Sequence, residues 1–300
     1  MAQKLSISEQ LAHSTVRIEC ELANGQVGTG TGFFFRFANI GQIHVPAIVT
    51  NKHVVAGASK GRFHMTLADA NGEPIAKSHH IFQFDGFEHM WIPHPEHEVD
   101  LCVMPIAPLQ QVAANENKSL FYLGLDKSLI PTKAEMDDMV LMEEITMVGY
   151  PNGIWDEVNN MPVFRRGISA THPNLDWNGR PEFLIDAACF PGSSGSPVFL
   201  FNQSGFATKS GGMVIGPGRV KLLGILYAGP QHTVTGEIKI VKVPTQNIPL
   251  AVSTIPNNLG MVIKATKLDA FEAIFEKVVQ NEQHANQPIQ PTPKSGAADG

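Results

Sequence analysis

The sequence has little of what marks several large classes of protein. Its three cysteines in 300 residues are too few for the disulfide framework of a small secreted domain. It lacks a run of about eighteen apolar residues, which a membrane-spanning helix requires. Its 22 lysines and arginines are outnumbered by 28 aspartates and glutamates, so its charge gives no reason to expect a nucleic-acid partner. We therefore expect neither membrane nor nucleic-acid binding.

The chain also lacks the apolar core of a secretory signal after Met1. Its cysteines, Cys20, Cys102 and Cys189, each have apolar neighbours, which predicts buried, reduced thiols. Both features favour a cytoplasmic location. The alternative is that a leader is missing from the sequence.

What the chain does have is the composition of a folded globular protein, with 43% hydrophobic and 17% charged residues. Short, β-branched or alternating runs such as 14–20, 144–150 and 220–227 recur along it, and Gly, Pro or Asn stands at their ends. Many short strands of this kind predict an all-β fold built from barrels or sandwiches.

Two parts of the chain differ from this strand pattern. Residues 107–138 are polar and carry no strand signal, so we interpret them as the connection between an N-terminal β-domain (1–106) and a C-terminal one (139–265). At 266–281 we predict an amphipathic helix, and at 282–300, rich in Gln, Pro, Ser, Ala and Gly, a disordered tail. The helix prediction rests on apolar residues at helical spacing: Leu268, Phe271, Ile274, Phe275 and Val278.

The run Phe190-Pro191-Gly192-Ser193-Ser194-Gly195-Ser196-Pro197-Val198 has the composition of a nucleophile turn. Acyl transfer by serine needs an exposed hydroxyl on a tight turn and backbone amides that converge on the developing oxyanion. Gly192 permits the unusual backbone conformation that aims such amides. We expect Gly195 to leave room beside Ser194 for a substrate backbone. By itself the run is a weak signal, because Gly-Ser turns are common.

A candidate general base and its partner come earlier in the chain. His53 follows the apolar run Ala47-Ile48-Val49-Thr50, and Asp100 directly precedes another, Leu101-Cys102-Val103. A base must be held by a rigid element, and a partly buried carboxylate needs a partner such as an imidazole N–H. Taken singly, each is more often a structural histidine or a turn aspartate. The order His, Asp, Ser matches one known arrangement of the catalytic triad and excludes two others.

Four segments together resemble the HtrA (high-temperature-requirement) and related bacterial trypsin-like peptidases. Thr50-Asn51-Lys52-His53-Val54-Val55 is similar to their histidine motif, and Asp100-Leu101-Cys102-Val103 to their aspartate motif. Ile185-Asp186-Ala187-Ala188, followed by residues 192–197, is similar to their serine region. Leu223-Gly224-Ile225-Leu226-Tyr227-Ala228-Gly229 resembles the strand that pairs with substrate backbone. The likeness spans about residues 12–255, with no PDZ-like module after it.

This resemblance implies two packed six-stranded antiparallel β-barrels of the chymotrypsin type with a C-terminal helix. His53 and Asp100 would lie in the first barrel and Ser194 in the second. It implies a serine endopeptidase in which Ser194 attacks, His53 transfers protons and Asp100 orients His53. The amides of Gly192 and Ser194 would form the oxyanion hole, and neither a metal nor an organic cofactor would be needed.

The resemblance also implies a substrate pocket. The sequence departs from the family pattern at two positions. Ser193 stands where zymogens of the family carry an aspartate, and Ser196 replaces a glycine. Ala188 occupies the position of trypsin's carboxylate, which predicts preference for small or medium apolar side chains. Lys239 or Lys242, near Ile240, could instead favour an acidic one. The residues expected to contact substrate are Ala188, Cys189, Phe190, Tyr227, Ala228 and Gly229.

Other readings remain open. The chain could be a pseudoprotease or binding module, or a protease-like sensor that an activating partner switches on. Segments 152–161 and 204–219 could act as lids over the cleft. A local group of histidines and glutamates could in principle bind zinc, but its spacing matches no ligand pattern, so we interpret it as a solvated surface. That group is His79, His80, Glu88, His89, His94, Glu96, His97 and Glu98.

Overall fold

The structure, a computed structural model, describes residues 5–40, 43–216, 218–229, 231–237, 250–256 and 258–285. Strands make up most of its regular secondary structure, as the sequence predicts. Its α-helices are α1 (Ile7–Ala12), α2 (Lys52–Val55), α3 (Ala107–Asn115), α4 (Lys133–Asp138) and α5 (Asp269–Ala285). None of the described helices is both long and apolar enough to cross a membrane.

The N-terminal part folds into one antiparallel sheet. Its strands are β1 (Thr15–Leu22), β2 (Val27–Ile40), β3 (Ile43–Thr50), β4 (Ala58–Ala68), β5 (Pro74–Asp85), β6 (Ile92–Pro93), β7 (Cys102–Pro105) and β8 (Ser119–Leu120). The order is β5-β4-β1-β2-β3-β7-β6, and β8 pairs with β4. The sheet therefore holds eight strands rather than six, because two-residue segments extend it at β6 and β8.

The C-terminal part contains a closed barrel. Its strands follow as β9 (Glu144–Gly149), β10 (Val163–Ser169), β11 (Glu182–Asp186), β12 (Pro197–Asn202), β13 (Gly205–Ala207), β14 (Met213–Ile215), β15 (Arg219–Ala228), β16 (Gln231–Glu237), β17 (Leu250–Pro256) and β18 (Leu259–Lys264). Six of them close in the order β10-β11-β18-β15-β12-β9, while β13–β14 and β16–β17 pair as separate two-stranded sheets. The predicted fold class is confirmed: mostly β, with a six-stranded barrel and a C-terminal helix.

One hydrophobic core joins the sheet, the barrel and α5. Side chains alternate along β2, so Phe33, Phe35 and Phe37 enter this core while Phe34 packs on the other face of the sheet. The Phe37 ring lies 5.3 Å from that of Phe275 in α5, centroid to centroid. Burying one such aromatic side chain contributes about 1.5–3 kcal/mol. The barrel supplies Phe199, Leu222, Ile225 and Ile263 to the same core.

Helix α5 differs in phase and length from the predicted helix. Val279 is buried at 4% exposure and Val278 is 45% exposed, the reverse of the prediction for Val278. With about 3.6 residues per turn, position 279 follows Phe275 on the buried face. The helix runs to Ala285 rather than 281, so four residues of the predicted tail are helical. The rest of that tail, 286–300, lies outside the described residues.

The predicted connection at 107–138 is not free of regular structure. It contains α3, the short strand β8 and α4. Helix α4 begins with a capping box, in which the Thr132 hydroxyl accepts from the Glu135 amide and the Glu135 carboxylate accepts from the Thr132 amide. The Thr-x-x-Glu spacing of this capping box is a sequence signal for a helix start within the predicted connection.

Candidate active site

His53 and Asp100 form a direct pair. His53 Nδ1 lies 2.5 Å from Asp100 Oδ2, and the backbone N–H of His53 donates to Asp100 Oδ1 at 3.1 Å. The carboxylate thus contacts its partner at two points and fixes the ring from one side. The imidazole side chain is 48% exposed and the carboxylate 23%. A reactant in solvent can therefore reach the ring, while its Nδ1 edge is already occupied.

The chain around His53 explains why the pair forms. Strand β3 ends in a fully buried, mostly apolar run at Thr50, and α2 starts at Lys52. Between them lies buried Asn51, whose side-chain N–H donates to the Asp100 carbonyl at 2.8 Å. The Lys52 ammonium donates to the carbonyls of Glu96 and His97, each at 3.2 Å. The two residues flanking the histidine on its N-terminal side therefore anchor the loop that carries the aspartate.

The segment before Ser194 has the features of a type II β-turn. Pro191 is its second residue, and Gly192, with φ +84°, is its third. The Ser193 N–H donates to the Phe190 carbonyl at 3.0 Å and closes the turn. The Pro191 carbonyl accepts from the Asn152 N–H at 2.6 Å. Because the C=O and N–H of one peptide point in opposite directions, this bond aims the Gly192 N–H away from Asn152.

Two amides of this loop are left without an acceptor in the described structure. The N–H groups of Ser193 and Gly195 donate to the carbonyls of Phe190 and Leu226. Those of Gly192 and Ser194 donate to no group among the described residues. Two unused amides, one residue apart beside a serine hydroxyl, are the donor set that a tetrahedral oxyanion requires.

The Ser194 hydroxyl is directed towards a backbone carbonyl. Its Oγ donates to the Tyr227 carbonyl at 3.4 Å, a long and weak hydrogen bond, and no bond to His53 is formed. A hydroxyl oxygen moves between rotamers by rotation about one bond, so this contact does not lock the side chain. The structure thus brings His53 and Asp100 into contact and places Ser194 beside Tyr227, one of the residues expected to contact substrate.

Thr31 is a residue of this site that sequence analysis missed. Its backbone N–H donates to the Ser194 carbonyl at 2.9 Å, and its hydroxyl donates to the Gly192 carbonyl at 3.0 Å. The same hydroxyl accepts from the Tyr150 N–H at 3.0 Å, and the Thr50 hydroxyl donates to the Thr31 carbonyl at 2.7 Å. Fully buried, Thr31 connects the histidine strand to the backbone on both sides of Ser193.

The glycines on either side of Thr31 are the sequence feature that could have indicated close packing at this residue. A Cβ on Gly30 would lie 2.3 Å from Val54 Cγ1, and one on Gly32 would lie 2.6 Å from Ile48 Cγ2. Gly30 and Gly32 on either side of Thr31 therefore reflect close packing under the site.

Gly195 has a different role from the expected one. A Cβ there would lie 1.9 Å from the Thr31 carbonyl oxygen, so this glycine admits the protein's own backbone rather than a substrate's. Ser196, the departure from the family's glycine, is accommodated by Gly149, where a Cβ would lie 2.1 Å from the Ser196 hydroxyl oxygen. That hydroxyl is buried and has no hydrogen-bond partner among the described residues.

The expected substrate-contacting residues occupy neighbouring positions. Cys189 is buried, Ala188 is half-buried and Phe190 is 37% exposed. A Cβ on Gly229 would lie 3.7 Å from the Cys189 Cβ, which places the serine loop beside the end of β15. The Tyr227 hydroxyl donates to Glu182 at 2.9 Å. Ala228 is half-buried, and the segment with Ile240, Lys239 and Lys242 lies outside the described residues.

The three cysteines are free and buried, as predicted. Burial raises the pKa of the Cys189 thiol to about 11 and that of Cys20 to about 12, and it raises the pKa of Cys102 well above its usual value. They are neutral thiols at physiological pH and unsuited to nucleophilic chemistry.

The two segments expected as lids both contact the body, although residues 209–216 of the second are exposed. In 152–161, the Trp155 ring lies 4.8 Å from the His64 ring, and the Asn160 amide donates to the His64 carbonyl at 3.1 Å. In 204–219, the Lys209 ammonium donates to the Asp137 carbonyl at 3.0 Å, at the end of α4. The first segment also supplies the Asn152 amide to the nucleophile turn, so its docking bears directly on the site.

The histidine-rich group is dispersed among separate partners, and it is not all solvated as expected, because His94 is 2% exposed. His94 Nε2 lies 3.0 Å from the Lys267 carbonyl, His80 Nδ1 lies 3.1 Å from the Lys118 ammonium, and exposed His97 lies near Glu98. Within the described ranges, no group of three or more His, Cys, Asp or Glu side chains could hold a metal ion.

His64, beneath the 152–161 segment, makes stability depend on pH. Burial, with the nearby charges of His79, Arg62 and Arg17, lowers the pKa of His64 to about 4. The unfolded chain therefore binds the proton first, and we expect this contribution to be present above about pH 6.5 and lost towards pH 4. The expected loss in the free energy of unfolding is about 2 kcal/mol between pH 7 and pH 4.5.

Urea unfolding at the two pH values measures this loss. His64→Phe keeps an aromatic ring against Trp155 but cannot titrate, so it should lose about 2 kcal/mol less than the wild type. His97→Gln, on a fully exposed surface, is the control and should follow the wild type. Equal losses in wild type and His64→Phe would contradict the assignment.

A match to a known protein family shows which family the chain belongs to. The family model described as "Trypsin-like peptidase domain" matches residues 30–206, which include His53, Asp100 and Ser194. The chain belongs to the trypsin-like peptidase family. The resemblance inferred from four separate motifs is therefore confirmed.

Solved structures of proteases, one of them HtrA-type, are similar to the chain at low identity. A protease from M. tuberculosis in its active form shares 15% identity, over 88% of this chain and 81% of that one, with a TM-score of 0.40. The serine endoprotease from Yersinia pestis shares 14%, over 93% and 69%, with a TM-score of 0.43. The HtrA-type protease AlgW with a tripeptide shares 15%, over 90% and 62%, with a TM-score of 0.47.

Proposed function

We propose that this member of the trypsin-like peptidase family is a serine endopeptidase with Ser194, His53 and Asp100 as its catalytic triad. The observation that carries the proposal is the two-point contact between Asp100 and His53. A carboxylate held in this way selects the tautomer with hydrogen on Nδ1, which leaves Nε2 as a base. The unused amides of Gly192 and Ser194 support the same assignment.

The reaction follows from these positions. Ser194 Oγ adds to the carbonyl carbon of a peptide bond while His53 Nε2 accepts its proton, and Asp100 stabilises the resulting imidazolium. The amides of Gly192 and Ser194 receive the negative oxygen, and each such donor is worth about 3 kcal/mol of the barrier. The C–N bond then breaks, His53 protonates the leaving amine, and water hydrolyses the ester on Ser194 by the same steps.

We propose protein or peptide substrates with a small or medium apolar side chain at the cleavage site. Ala188 offers no carboxylate to pair with lysine or arginine, and Cys189 beside Gly229 presents an apolar, neutral wall. Buried, reduced cysteines support a cytoplasmic location, which stays a prediction. The division into an N-terminal unit at 1–106 and a C-terminal unit at 139–265 also stays a prediction. The sheet, the barrel and α5 share one hydrophobic core, which does not mark a boundary between them.

A second candidate is a protease-like sensor whose activity depends on a partner or substrate. The bond between the Ser194 hydroxyl and the Tyr227 carbonyl favours it, because Ser194 must rotate away from that carbonyl before it can reach His53. A ligand that pairs with Tyr227 would compete for the same carbonyl and so favour the rotamer of Ser194 that faces His53.

Labelling of the purified protein with a fluorophosphonate, read by intact mass, tests the proposal. We expect one adduct per wild-type chain and none on Ser194→Ala or His53→Ala. Ser210→Ala, a change on the exposed β13–β14 connection, is the control and should label fully. A folded wild type that stays unlabelled would exclude a preassembled triad, whereas labelling that appears only with a peptide substrate or partner present would identify the sensor.

A further inference from the structure

Arg165, a half-buried residue of barrel strand β10, contacts the loop that carries Ser194. Its Nη1 donates to the Ala188 carbonyl and to the Ser193 hydroxyl, the latter at 3.3 Å. Its guanidinium lies over the Phe190 ring, 5.0 Å from the centroid. These three contacts fall on the two ends and the middle of the stretch 188–193, which forms the pocket wall and the type II turn.

The environment of this guanidinium is unusual. Arg165 is half-buried, yet no carboxylate among the described residues lies within ion-pair distance of it. The next residue, Arg166, is exposed and paired with Glu144. A desolvated cation normally has an anionic partner, because its charge is otherwise poorly compensated. Arg165 has instead a carbonyl, a hydroxyl and an aromatic face, all from one loop.

The contacted groups depend on the same arginine. Ser193 is 2% exposed, and its hydroxyl makes its one described side-chain hydrogen bond to Arg165. The amide of Ser193 closes the turn, and the turn sets the direction of the Gly192 N–H. A guanidinium presents several donors in a rigid fork, so it can bridge two acceptors and stack on a ring at once.

We propose that Arg165 is a positioning residue. From barrel strand β10 it holds the type II turn at 190–193 in the conformation that directs the Gly192 N–H towards the oxyanion. The inference rests on the proposed function, because it assigns Arg165 an effect on the amides expected to stabilise the oxyanion. Ser193, the departure from the family's aspartate, thus presents a neutral hydroxyl to the cation at that position.

Hydrogen exchange tests the contact without any catalysis. In Arg165→Gln, we expect amides in peptides covering 188–196 to exchange at least about tenfold faster than in the wild type, because the loop opens locally more often. Arg166→Gln, the matched control one residue away, should exchange at the wild-type rate there. Equal exchange in all three proteins would overturn the proposal.

A change at Ser193 gives a second test that also works if Arg165→Gln folds poorly. Ser193→Asp places a carboxylate against the guanidinium, so it should raise Tm by about 2–4 °C in the wild-type background. In an Arg165→Lys background the pair is weaker and the gain should fall below half. In an Arg165→Gln background the carboxylate is unpaired and Tm should fall. An effect of the same size in every background would contradict the contact.

Labelling kinetics then connect the contact to chemistry. The maximal rate of fluorophosphonate labelling should fall about 100-fold in Arg165→Gln and recover by about tenfold in Arg165→Lys, while Arg166→Gln stays within about twofold of the wild type. A wild type that labels together with an unchanged Arg165→Gln would overturn the inference alone. A wild type that does not label would overturn the proposed function, and exchange and Tm would still decide the role of Arg165.

Discussion

Asp100→Asn should lower the rate of fluorophosphonate labelling by about 10⁴-fold while the protein stays folded. The reason lies in the two contacts that Asp100 makes with His53. The backbone N–H of His53 can only donate, so the amide oxygen of an asparagine must face it. The amide NH₂ then faces Nδ1 and donates to it. The imidazole is forced to carry its hydrogen on Nε2, where it can no longer accept the proton of Ser194.

The control for this substitution removes a carboxylate elsewhere. Asp126 is paired with Arg36 and caps the 3-10 turn at Lys127–Leu129, so Asp126→Asn removes a charge and several hydrogen bonds remote from the labelled serine. It should label at a rate close to that of the wild type. Thermal unfolding checks that Asp100→Asn remains folded. A folded Asp100→Asn protein that labels within tenfold of the wild type would contradict the proposed role.

The parts of the site that could be predicted from sequence are those that a short segment determines. His53 follows a buried strand, and Asp100 precedes one. The pair Pro191-Gly192 specifies a type II turn independently of the rest of the fold. Each signal is local, and their order along the chain linked them to one family. The barrel strands and α5 were predictable for the same reason, since hydrophobic periodicity is also local.

What sequence analysis missed depends on contacts between distant segments. Thr31 is remote in sequence from Gly192 and Ser194, and its neighbouring glycines indicate close packing but not that it bonds to both. Asn152 acts through its backbone amide, so its side chain carries no signal. The Ser194 hydroxyl is directed towards the Tyr227 carbonyl, a neighbour that only the folded chain supplies.

The close approach of Gly195 to Thr31 predicts the second large effect. Gly195→Ala should lower the free energy of unfolding by about 3 kcal/mol or more, because the added methyl would sit 1.9 Å from the Thr31 carbonyl oxygen at a φ of +86°. The loop must then move off the sheet that carries His53. A displacement of about 1 Å at a reacting group can cost 100-fold in rate, so labelling should fall at least that far.

Gly72→Ala separates the two causes of this effect. Gly72 has φ +80° and nothing within 4 Å of its Cβ position, so alanine there meets the same backbone strain in open space. It should cost about 1 kcal/mol and leave labelling unchanged.

Urea unfolding and labelling rates of the two variants give the comparison. If Gly195→Ala behaves like Gly72→Ala in both measurements, backbone conformation alone explains the glycine, and the nucleophile loop does not rest on Thr31. If Gly195→Ala is the less stable by about 2 kcal/mol and labels poorly, the packing of these two backbones aligns the serine with the histidine.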